Sequence, residues 1–580
     1  MDTEGIAMTN GEISRILREI AILLDMEGVQ FKPRAYEKAA YAVEAVEQPL
    51  SELYRKEGIK AIEAIPGVGK AITEKIITLI ETGHLPYYEE LKQKVPVDLA
   101  NLTAIEGLGP KMIKALYDQL GIKTVEELEK AAQEGKIRHL PHFGEKSEQK
   151  ILKGIAFLKK SSGRFPLGMA LPLVLEIEGR LQKIIGVKQV AVAGSIRRRK
   201  ETIGDADILV VSSQPDLVMD VLVKMPEVVH IHGKGHTKSS VKLNNGMDVD
   251  VRVVEGRSFG AALNYFTGSK DHNIALRRIA QEKDLNLNEY GLFRGDKALA
   301  GVTEEEVYEA LGLPYIPPEL RENSGEIEAA MAGRLPDLVD YGDLKGDLQT
   351  QTTWTDGANS IEEMVQEAKR LGLEYIAITD HTKSLAMTGG SDEKKLQQQM
   401  AVIDELNKKL RGITILKGAE VNINKDGTLD IADDTLAKLD VVGVAVHSHF
   451  NLSREEMTRR VIHAMENPNA DILFHPTGRL IQKREPYDID IDEVIKTAKR
   501  TGTVLEIDAY PDRLDLKDEH VRKAVEAGVK LVIDTDAHNV NHLSFLHFGI
   551  ATARRGWAKQ SDILNTQPLK AFLKSLKDAR

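Results

Sequence analysis

Residues 194–207, GSIRRRKETIGDAD, lie between two apolar runs of β type, residues 187–193 and 208–211. The pattern predicts a turn followed by the start of a strand. Asp205 and Asp207 are two positions apart, and successive side chains of a strand alternate between its faces. Both carboxylates are therefore expected on one side of the strand, facing a single space of the size of a metal ion.

A third acid comes from residues 247–254, MDVDVRVV, in which Asp248 and Asp250 also share a face. A neighbouring strand of this kind would complete a cage of three carboxylates. Hard oxygen ligands suit Mg²⁺, and two such ions about 3.5–4 Å apart can activate an attacking oxygen and stabilise a leaving oxygen in phosphoryl transfer. An isolated Asp-x-Asp is more often a turn or a solvated face, but here a Gly-Ser turn precedes the pair.

The turn and the basic run beside the acids are typical of a phosphate site. The turn Gly194-Ser195 would bring backbone N–H groups and a hydroxyl close to phosphate oxygens, and residues 197–200, RRRK, would offset the charge of a triphosphate. The combination predicts a nucleotidyltransferase.

Three strings, GSIRRRKETIGDADILV (194–210), MDVDVRVV (247–254) and YFTGSKDHNIALR (265–277), resemble the palm and thumb of family X DNA polymerases in residue type, spacing and order. The resemblance implies that Asp205, Asp207 and Asp250 are catalytic and hold Mg²⁺ or Mn²⁺. Asp248 falls outside the family's triad and is interpreted as a second acid that tunes the site.

The same resemblance assigns residues to the substrates. Arg252 and Arg277 are expected to contact DNA. The residues expected to contact the incoming nucleotide are Gly194, Ser195, Arg198, Gly204, Tyr265, Phe266, Gly268 and Asn273.

Two segments of the N-terminal part, residues 65–72 (IPGVGKAI) and 105–112 (IEGLGPKM), have an apolar residue, then Gly-x-Gly, then a helical pattern. This is the helix-hairpin-helix pattern, in which backbone N–H groups at a helix N-terminus face a DNA phosphate. One Gly-x-Gly often only ends a helix, whereas two copies favour DNA binding. Residues 140–146, with His142 in place of the first glycine, are either a degenerate copy or an ordinary turn. The glycines expected at DNA are Gly67, Gly69, Gly107 and Gly109.

In the family, the N-terminal domain holds the 5′-phosphate side of a gap and, in some members, an abasic-site lyase. Lys32 and Tyr36 match residue types of the 5′-phosphate pocket. Lys75 is the Schiff-base lysine, which needs a lowered pKa, or else a phosphate contact or a solvated helix residue. Ala71 stands where lyase-active members carry a lysine, so 5′-deoxyribose-phosphate lyase activity is not expected.

Beyond a Pro-rich and charged stretch, six apolar runs each end in His, Asp or Glu side chains, as in residues 375–381 (YIAITDH) and 531–538 (LVIDTDAH). In a β/α barrel the carboxyl ends of the strands converge on one mouth. A single such histidine would usually be structural, but the repetition favours a metal-binding cavity.

These runs resemble the PHP (polymerase and histidinol phosphatase) domain, a distorted β/α barrel that holds up to three metal ions and hydrolyses phosphoesters. Family members show His-x-His after Asp-Leu, where this chain has Gln349 and Gln351, and amide oxygens are weak ligands for a transition metal. We therefore expect fewer than three Mn²⁺ or Zn²⁺ ions and an impaired 3′–5′ exonuclease. The matching ligand positions are Asp356, His381, Glu420, His447, His475, Asp536 and His538.

Composition sets the remaining limits. The chain has 580 residues, a net charge of −11 and no cysteine, which predicts several domains without disulfides or thiolate metal sites. Acidic balance is unusual for a DNA-binding protein, so the basic clusters at 197–200 and 234–242 imply an uneven charge distribution. The N-terminus lacks a signal-peptide pattern, and no apolar run approaches a membrane span. We expect a soluble, cytoplasmic monomer.

The sequence thus predicts a multidomain fold: helix-hairpin-helix regions, an α+β nucleotidyltransferase palm with thumb, and a C-terminal distorted β/α barrel. The predicted function is templated filling of short gaps in DNA repair, with gapped or primer-template DNA and deoxynucleoside triphosphates as partners. The alternatives are a barrel phosphoesterase or nuclease as the main activity, a purely structural barrel, and a non-catalytic DNA-binding scaffold. The expected domains are 1–85 (5′-phosphate or lyase-like), 86–160 (helix-hairpin-helix), 161–258 (palm), 259–317 (thumb), 318–340 (linker) and 341–575 (PHP barrel).

Overall fold

The structure is a computed structural model. It describes residues 8, 10–44, 46, 48–65, 67–103, 105, 108–141, 143–161, 163–385 and 388–578. Gly107 and His142 lie outside these residues. No helix of the described part is long and apolar enough to cross a membrane.

The N-terminal part is helical. In the first helix, apolar side chains recur at helical spacing and are buried, among them Ile13, Leu17, Ile20 and Leu24, so this face packs on the second helix. Its helices are α1 Asn10–Met26, α2 Lys32–Glu44, α3 Leu50–Glu57, α4 Ile59–Glu63, α5 Lys70–Thr82, α6 Pro86–Lys94, α7 Leu99–Thr103, α8 Pro110–Leu120, α9 Val125–Gln133 and α10 Glu145–Ser161.

The palm is built on a sheet whose described strands run in the order β2-β4-β7-β6-β5, with β4 and β7 parallel and the other pairs antiparallel. Apolar residues of β4 and β7 alternate with the acids and are buried in the palm core. Its elements are β1 Phe165–Pro166, α11 Leu167–Gln182, β2 Val187–Val192, α12 Gly194–Arg197, β3 Thr202–Ile203, β4 Asp205–Ser212, α13 Pro215–Val223, β5 Val228–Lys234, β6 Lys238–Leu243 and β7 Asp248–Val253.

The thumb follows, and the stretch expected to be a linker is itself ordered structure. Arg321 within it is fully buried, and its Nη1 donates to Glu304 at 2.5 Å. The elements are α14 Phe259–Thr267, α15 Lys270–Glu282, β8 Asn286–Asn288, β9 Gly291–Arg294, β10 Lys297–Ala300, α16 Glu304–Ala310, a 3₁₀ turn Pro318–Leu320 and α17 Glu326–Met331.

The barrel contains a parallel sheet of seven strands within the described residues, in sequence order from β11 to β17. Its ends nearly close, because the backbone N–H of Gln351 donates to the carbonyl of Ala537 at 2.7 Å. The elements are β11 Gly346–Asp347, α18 Ile361–Arg370, β12 Tyr375–Ile378, α19 Glu393–Lys409, β13 Thr414–Asn422, α20 Asp433–Leu436, β14 Val441–Ala445, α21 Arg454–Met465, β15 Ile472–Leu473, α22 Ile491–Thr501, β16 Val504–Asp508, α23 Asp518–Ala527, β17 Leu531–Asp534, α24 Leu546–Arg555 and α25 Leu569–Asp578. The predicted multidomain fold class is confirmed.

The barrel packs directly on the palm. Ile481, Leu514 and Phe548 of the barrel belong to the palm's apolar core. At Gly168 a Cβ would lie 2.2 Å from the Cβ of Pro511, so only glycine permits this close approach. Palm and barrel therefore share part of one core.

Candidate active sites

The three predicted catalytic acids lie together because of strand register. In the parallel pair β4–β7, Asp207 is opposite Asp250 and Asp205 is opposite Asp248. Burial, followed by the charges of Asp205 and Asp250, raises the pKa of Asp207 to about 6. Carboxylates crowded in this way are stabilised by a bound cation, as a divalent metal site requires.

Asp250 has cationic and hydroxyl partners from the next strand, β6. Burial opposes its ionisation, but hydrogen bonds from Ser240 Oγ at 2.5 Å and Lys238 Nζ at 2.9 Å lower the pKa of Asp250. Asp248 is held apart from the triad by His232 and Lys242, at 2.8 and 3.0 Å.

A cavity of about 370 Å³ is lined by two of the three acids, Asp205 and Asp207; Asp250, opposite Asp207 on β7, is not among the described lining residues. Of the residues predicted to contact the nucleotide, Gly204 alone is not among its described lining residues; Gly204 directly precedes the first acid. Lys270, at the start of α15, lines the cavity and was not predicted. The lining residues are Gly194, Ser195, Arg198, Asp205, Asp207, Tyr265, Phe266, Gly268, Lys270, Asn273 and Arg277.

Two glycines that line the cavity lie close to charged side chains on its wall. Gly194 has a φ of 66°, and a Cβ there would lie 3.0 Å from Oδ2 of Asp207. Gly268 has a φ of 69°, and a Cβ would lie 3.1 Å from Nη1 of Arg198. Both positions combine a left-handed backbone with close approach, so they require glycine.

The basic run does not act as one unit. Arg198 is its member that lines the cavity among the described residues. Arg197 instead binds Glu304 of the thumb through both Nη atoms, at 2.9 and 2.6 Å, and Lys200 lies 3.9 Å from Glu322. Sequence spacing gave no signal for this division, because the acids that hold the other members are more than 100 residues away.

A larger cleft of about 980 Å³ adjoins the cavity, between β7 of the palm and β9–β10 of the thumb. Arg252, predicted to contact DNA, lines it and lies over the ring of Phe266 at 4.7 Å from the centroid. Arg277 lines the smaller cavity, where its Nε donates to the carbonyl of Asn273 at 3.3 Å.

The described helix-hairpin-helix glycines lie at helix starts. Gly67 has a φ of 82°, and Gly69 and Gly109 are the N-caps of α5 and α8. Neither N-cap has a side-chain hydrogen bond, and a Cβ at either would have nothing within 4 Å. The space beside both glycines is thus open, so a phosphate can approach these helix N-termini.

The predicted 5′-phosphate residues are only partly exposed. Lys32 is exposed at the start of α2. Tyr36 is buried and stacks on Tyr87 with centroids 6.5 Å apart. The ammonium of Lys75 lies 4.8 Å from the centroid of the Tyr87 ring and donates to the carbonyl of Ala71 at 3.0 Å.

Two groups of ligand atoms at the barrel mouth fit metal ions. In each group the atoms lie within 4.8 Å of one another, and His381 belongs to both. Nε2 of His475 adds to the second group, 2.9 Å from Oε1 of Glu420. Burial opposes the charge of Glu420, yet His381 and His447 hold its pKa well below the ordinary value. The groups are Asp356, His381 and His538, and His381, Glu420 and His447.

The residues at the expected position of a third ion differ in chemistry from the other two groups. Both polar side-chain atoms of Gln349 are buried without a partner among the described residues, and Gln351 Nε2 donates to Glu420 at 2.7 Å, which turns an amide hydrogen toward the ligand. Asp536, the remaining predicted ligand, instead lies 3.4 Å from Nε of Arg513. The carboxylate of Asp536 is thus paired with a cationic side chain of the protein itself.

Arg513 was not predicted from the sequence. Its Nε also lies 3.3 Å from Oδ2 of Asp508, at the end of β16. Burial, followed by the charge of Asp536, raises the pKa of Asp508 well above its usual value. Arg513 offsets part of this buried negative charge.

Comparison with protein families agrees with this architecture. A helix-hairpin-helix domain matches residues 8–85, a SAM-like helix-hairpin-helix tandem matches 99–156, a DNA polymerase beta thumb matches 262–322, and a PHP domain matches 347–509.

Relatives match the whole chain or parts of it. A DNA polymerase/3′-5′ exonuclease PolX of Bacillus subtilis (strain 168) is 40% identical over 98% of this chain and 100% of its own length. DNA polymerase lambda of Rattus norvegicus is 27% identical over 54% of this chain and 56% of its own. A probable phosphatase of Thermoanaerobacter sp. (strain X514) is 31% identical over 38% of this chain and 89% of its own.

The match to the DNA polymerase/3′-5′ exonuclease extends over the full length of that relative, and the family models match helix-hairpin-helix, thumb and PHP regions of this chain. The chain therefore belongs to the family X DNA polymerases that carry a C-terminal PHP domain.

Proposed function

We propose that this polymerase fills short gaps in DNA during repair, adding deoxynucleotides to a primer 3′-OH as the template directs. One observation carries the proposal: Asp205 and Asp207 share a single cavity with the Gly194-Ser195 turn and Arg198, beside a cleft large enough for a DNA strand.

The triad residues Asp205, Asp207 and Asp250 would hold Mg²⁺ or Mn²⁺. Such ions, when bound, activate the primer hydroxyl and offset phosphate charge. The hydroxyl of Ser195 and the guanidinium of Arg198 orient the triphosphate, since both line the same cavity.

The thumb side of the cavity would receive the sugar and base. Tyr265 and Phe266 supply an aromatic wall. Nδ2 of Asn273 donates to the carbonyl of Tyr265 at 2.7 Å, while its Oδ1 is buried without a partner among the described residues. The amide is thus fixed in orientation with an acceptor to spare for a base edge.

The N-terminal domains would hold the two sides of the gap. Uncapped helix starts at Gly69 and Gly109 suit DNA phosphates, and the exposed Lys32 suits the 5′-phosphate. The side-chain nitrogen of Lys75 donates to the carbonyl of Ala71 and lies over the ring of Tyr87, so it is engaged within its own domain, and lyase activity is not part of the proposal.

For the barrel we propose two ions and a weak 3′–5′ exonuclease or related phosphodiesterase activity. The support is that two groups of ligand atoms lie at the mouth, one with Asp356 and His538 and one with Glu420 and His447, while Asp536 is paired with Arg513. That this protein is a cytoplasmic monomer stays a prediction.

Primer extension on gapped DNA tests the polymerase proposal. Asp250→Ala is expected to lower the extension rate by about 10²–10³-fold or more, because charge stabilisation in the transition state is lost. Binding to the same gapped DNA, measured by fluorescence anisotropy, should stay within several-fold. Asp248→Ala is the matched control and should retain extension; an active Asp250→Ala enzyme would contradict the triad.

The raised pKa of Asp207 predicts a stability effect in metal-free protein. The pKa rises from 3.8 to about 6, so the stability that the neutral form gives below pH 4 is lost as the pH rises through 6. At pH 8, Asp207→Asn should therefore raise the unfolding temperature. The corresponding gain in the free energy of unfolding is on the order of 3 kcal/mol. The gain should vanish at pH 4 and when Mg²⁺ is added.

Asp248→Asn is the control for that measurement, because hydrogen bonds from His232 and Lys242 lower the pKa of Asp248 against the effect of burial. It should not raise the unfolding temperature at pH 8. Equal stability of wild type and Asp207→Asn in chelator at pH 8 would contradict the prediction.

A 5′-phosphate on the downstream strand should strengthen binding to the gap through Lys32. Lys32→Ala should remove most of this advantage, and salt should weaken it in the wild type. The measurement is the affinity for gapped DNA with and without the 5′-phosphate. Lys60→Ala, on the short helix α4, removes the same charge elsewhere in the domain and is the control. Equal affinity of the wild type for both gaps would contradict the assignment of a 5′-phosphate pocket.

Metal content tests the barrel. After dialysis against Mn²⁺, elemental analysis should find two more ions per chain in the wild type than in His381→Ala with Glu420→Gln, because ions at the polymerase triad are common to both proteins. Gln349→His with Gln351→His should add little, because Arg513 still holds Asp536; adding Arg513→Gln should bring in a third ion and raise exonuclease rate. A third ion in the wild type, or in the double variant, would contradict this account of Arg513.

A further inference from the structure

A residue of the barrel contacts the backbone of Arg198, a residue that lines the polymerase cavity. Arg555, the last residue of α24, is 6% exposed, and its Nη1 donates to the backbone carbonyl of Arg198 at 2.8 Å. The same nitrogen donates to Oε1 of Glu322 at 3.1 Å. Its Nε and Nη2 bind Asp518 on α23, at 2.9 and 2.7 Å. The barrel thus fixes this guanidinium on both sides.

Glu322 is the link between the two arginines. Its Oε1 also accepts from Nε of Arg198 at 3.0 Å, and Nη1 of Arg198 donates to the carbonyl of Thr267. For Nη2 of Arg198 the described residues offer no hydrogen-bond partner, and the side chain lines the cavity. One edge of the guanidinium is therefore anchored, and the other is left for a ligand.

The charges explain why a second arginine is needed. A lone Glu322 would neutralise Arg198 and weaken its attraction for an anion. Burial opposes the charge of Glu322, but Arg198 and Arg555, in that order, together lower its pKa. Lys200 also lies 3.9 Å from Glu322, so three cations, Arg198, Arg555 and Lys200, face two acids, Glu322 and Asp518. The cluster therefore keeps one net positive charge beside the cavity, where a triphosphate would bring negative charge.

We propose that Arg555 of the barrel is a positioning residue for nucleotide binding in the polymerase cavity: it fixes the backbone of Arg198 and offsets Glu322. The proposal rests on the proposed polymerase function. It gives the barrel a part in polymerisation that is independent of the metal ligands at its mouth.

Steady-state extension with varied deoxynucleoside triphosphate tests the proposal in the full-length protein. Arg555→Met is expected to raise KM for the nucleotide about tenfold with kcat within about twofold, as the loss of uniform binding requires. Arg555→Lys keeps the charge but loses the forked guanidinium, so its KM should lie between those of the wild type and Arg555→Met. Binding of a fluorescent triphosphate analogue should weaken by the same factor as KM rises.

Arg554→Met is the matched control. Arg554 is adjacent and 15% exposed, and it joins the barrel to the same preceding segment through Glu319 and the carbonyl of Val339, at 2.7 and 2.8 Å. It does not contact Arg198 among the described residues. A purely structural role would give both variants the same loss of unfolding temperature and the same KM.

A double variant separates charge from folding. Adding Glu322→Gln to Arg555→Met removes the uncompensated acid, so KM should return part of the way to the wild-type value; a further increase would overturn the proposal. If Arg555→Met does not fold, Asp518→Asn loosens Arg555 instead and should raise KM several-fold. Absence of extension by the wild type would defeat the polymerase function, whereas equal KM for Arg555→Met and Arg554→Met would defeat this proposal alone.

Discussion

The parallel register of β4 and β7 is the constraint on which the polymerase site depends. It sets Asp207 opposite Asp250, so the alternation that buries apolar side chains on one face of the sheet crowds carboxylates on the other. Burial, followed by repulsion from the neighbouring acids, disfavours full ionisation and raises the pKa of Asp207. A divalent cation bound at such a site stabilises the ionised carboxylates.

The barrel meets the same problem of crowded acids in two ways. At Asp356, Glu420 and the neighbouring histidines the ligand atoms are left to bind ions. At Asp508 and Asp536 a guanidinium of the chain supplies the positive charge. A guanidinium cannot lose a proton or admit a water ligand, so it can stabilise the fold at this position but cannot activate a nucleophile.

Local patterns were enough to predict the acids, the glycines of the hairpins and the ligands at the strand ends. Each of these depends on a period of two or on a short motif, and the sheet or barrel then places it. Arg513 and Arg555 could not be found in this way. Their partners are brought together by tertiary packing, and an arginine after a strand or at the end of a helix has no distinctive spacing. For the same reason the sequence did not indicate which members of the basic run 197–200 line the cavity and which pair with distant acids.

The contact between Arg555 and Arg198 spans 357 positions of the chain. During synthesis the acids, the glycine turn and the thumb leave the ribosome long before α24 exists. At about 5–20 residues per second, roughly 20 to 70 seconds separate the two arginines. The palm and thumb are therefore synthesised tens of seconds before the barrel residues that complete the palm core and support Arg198.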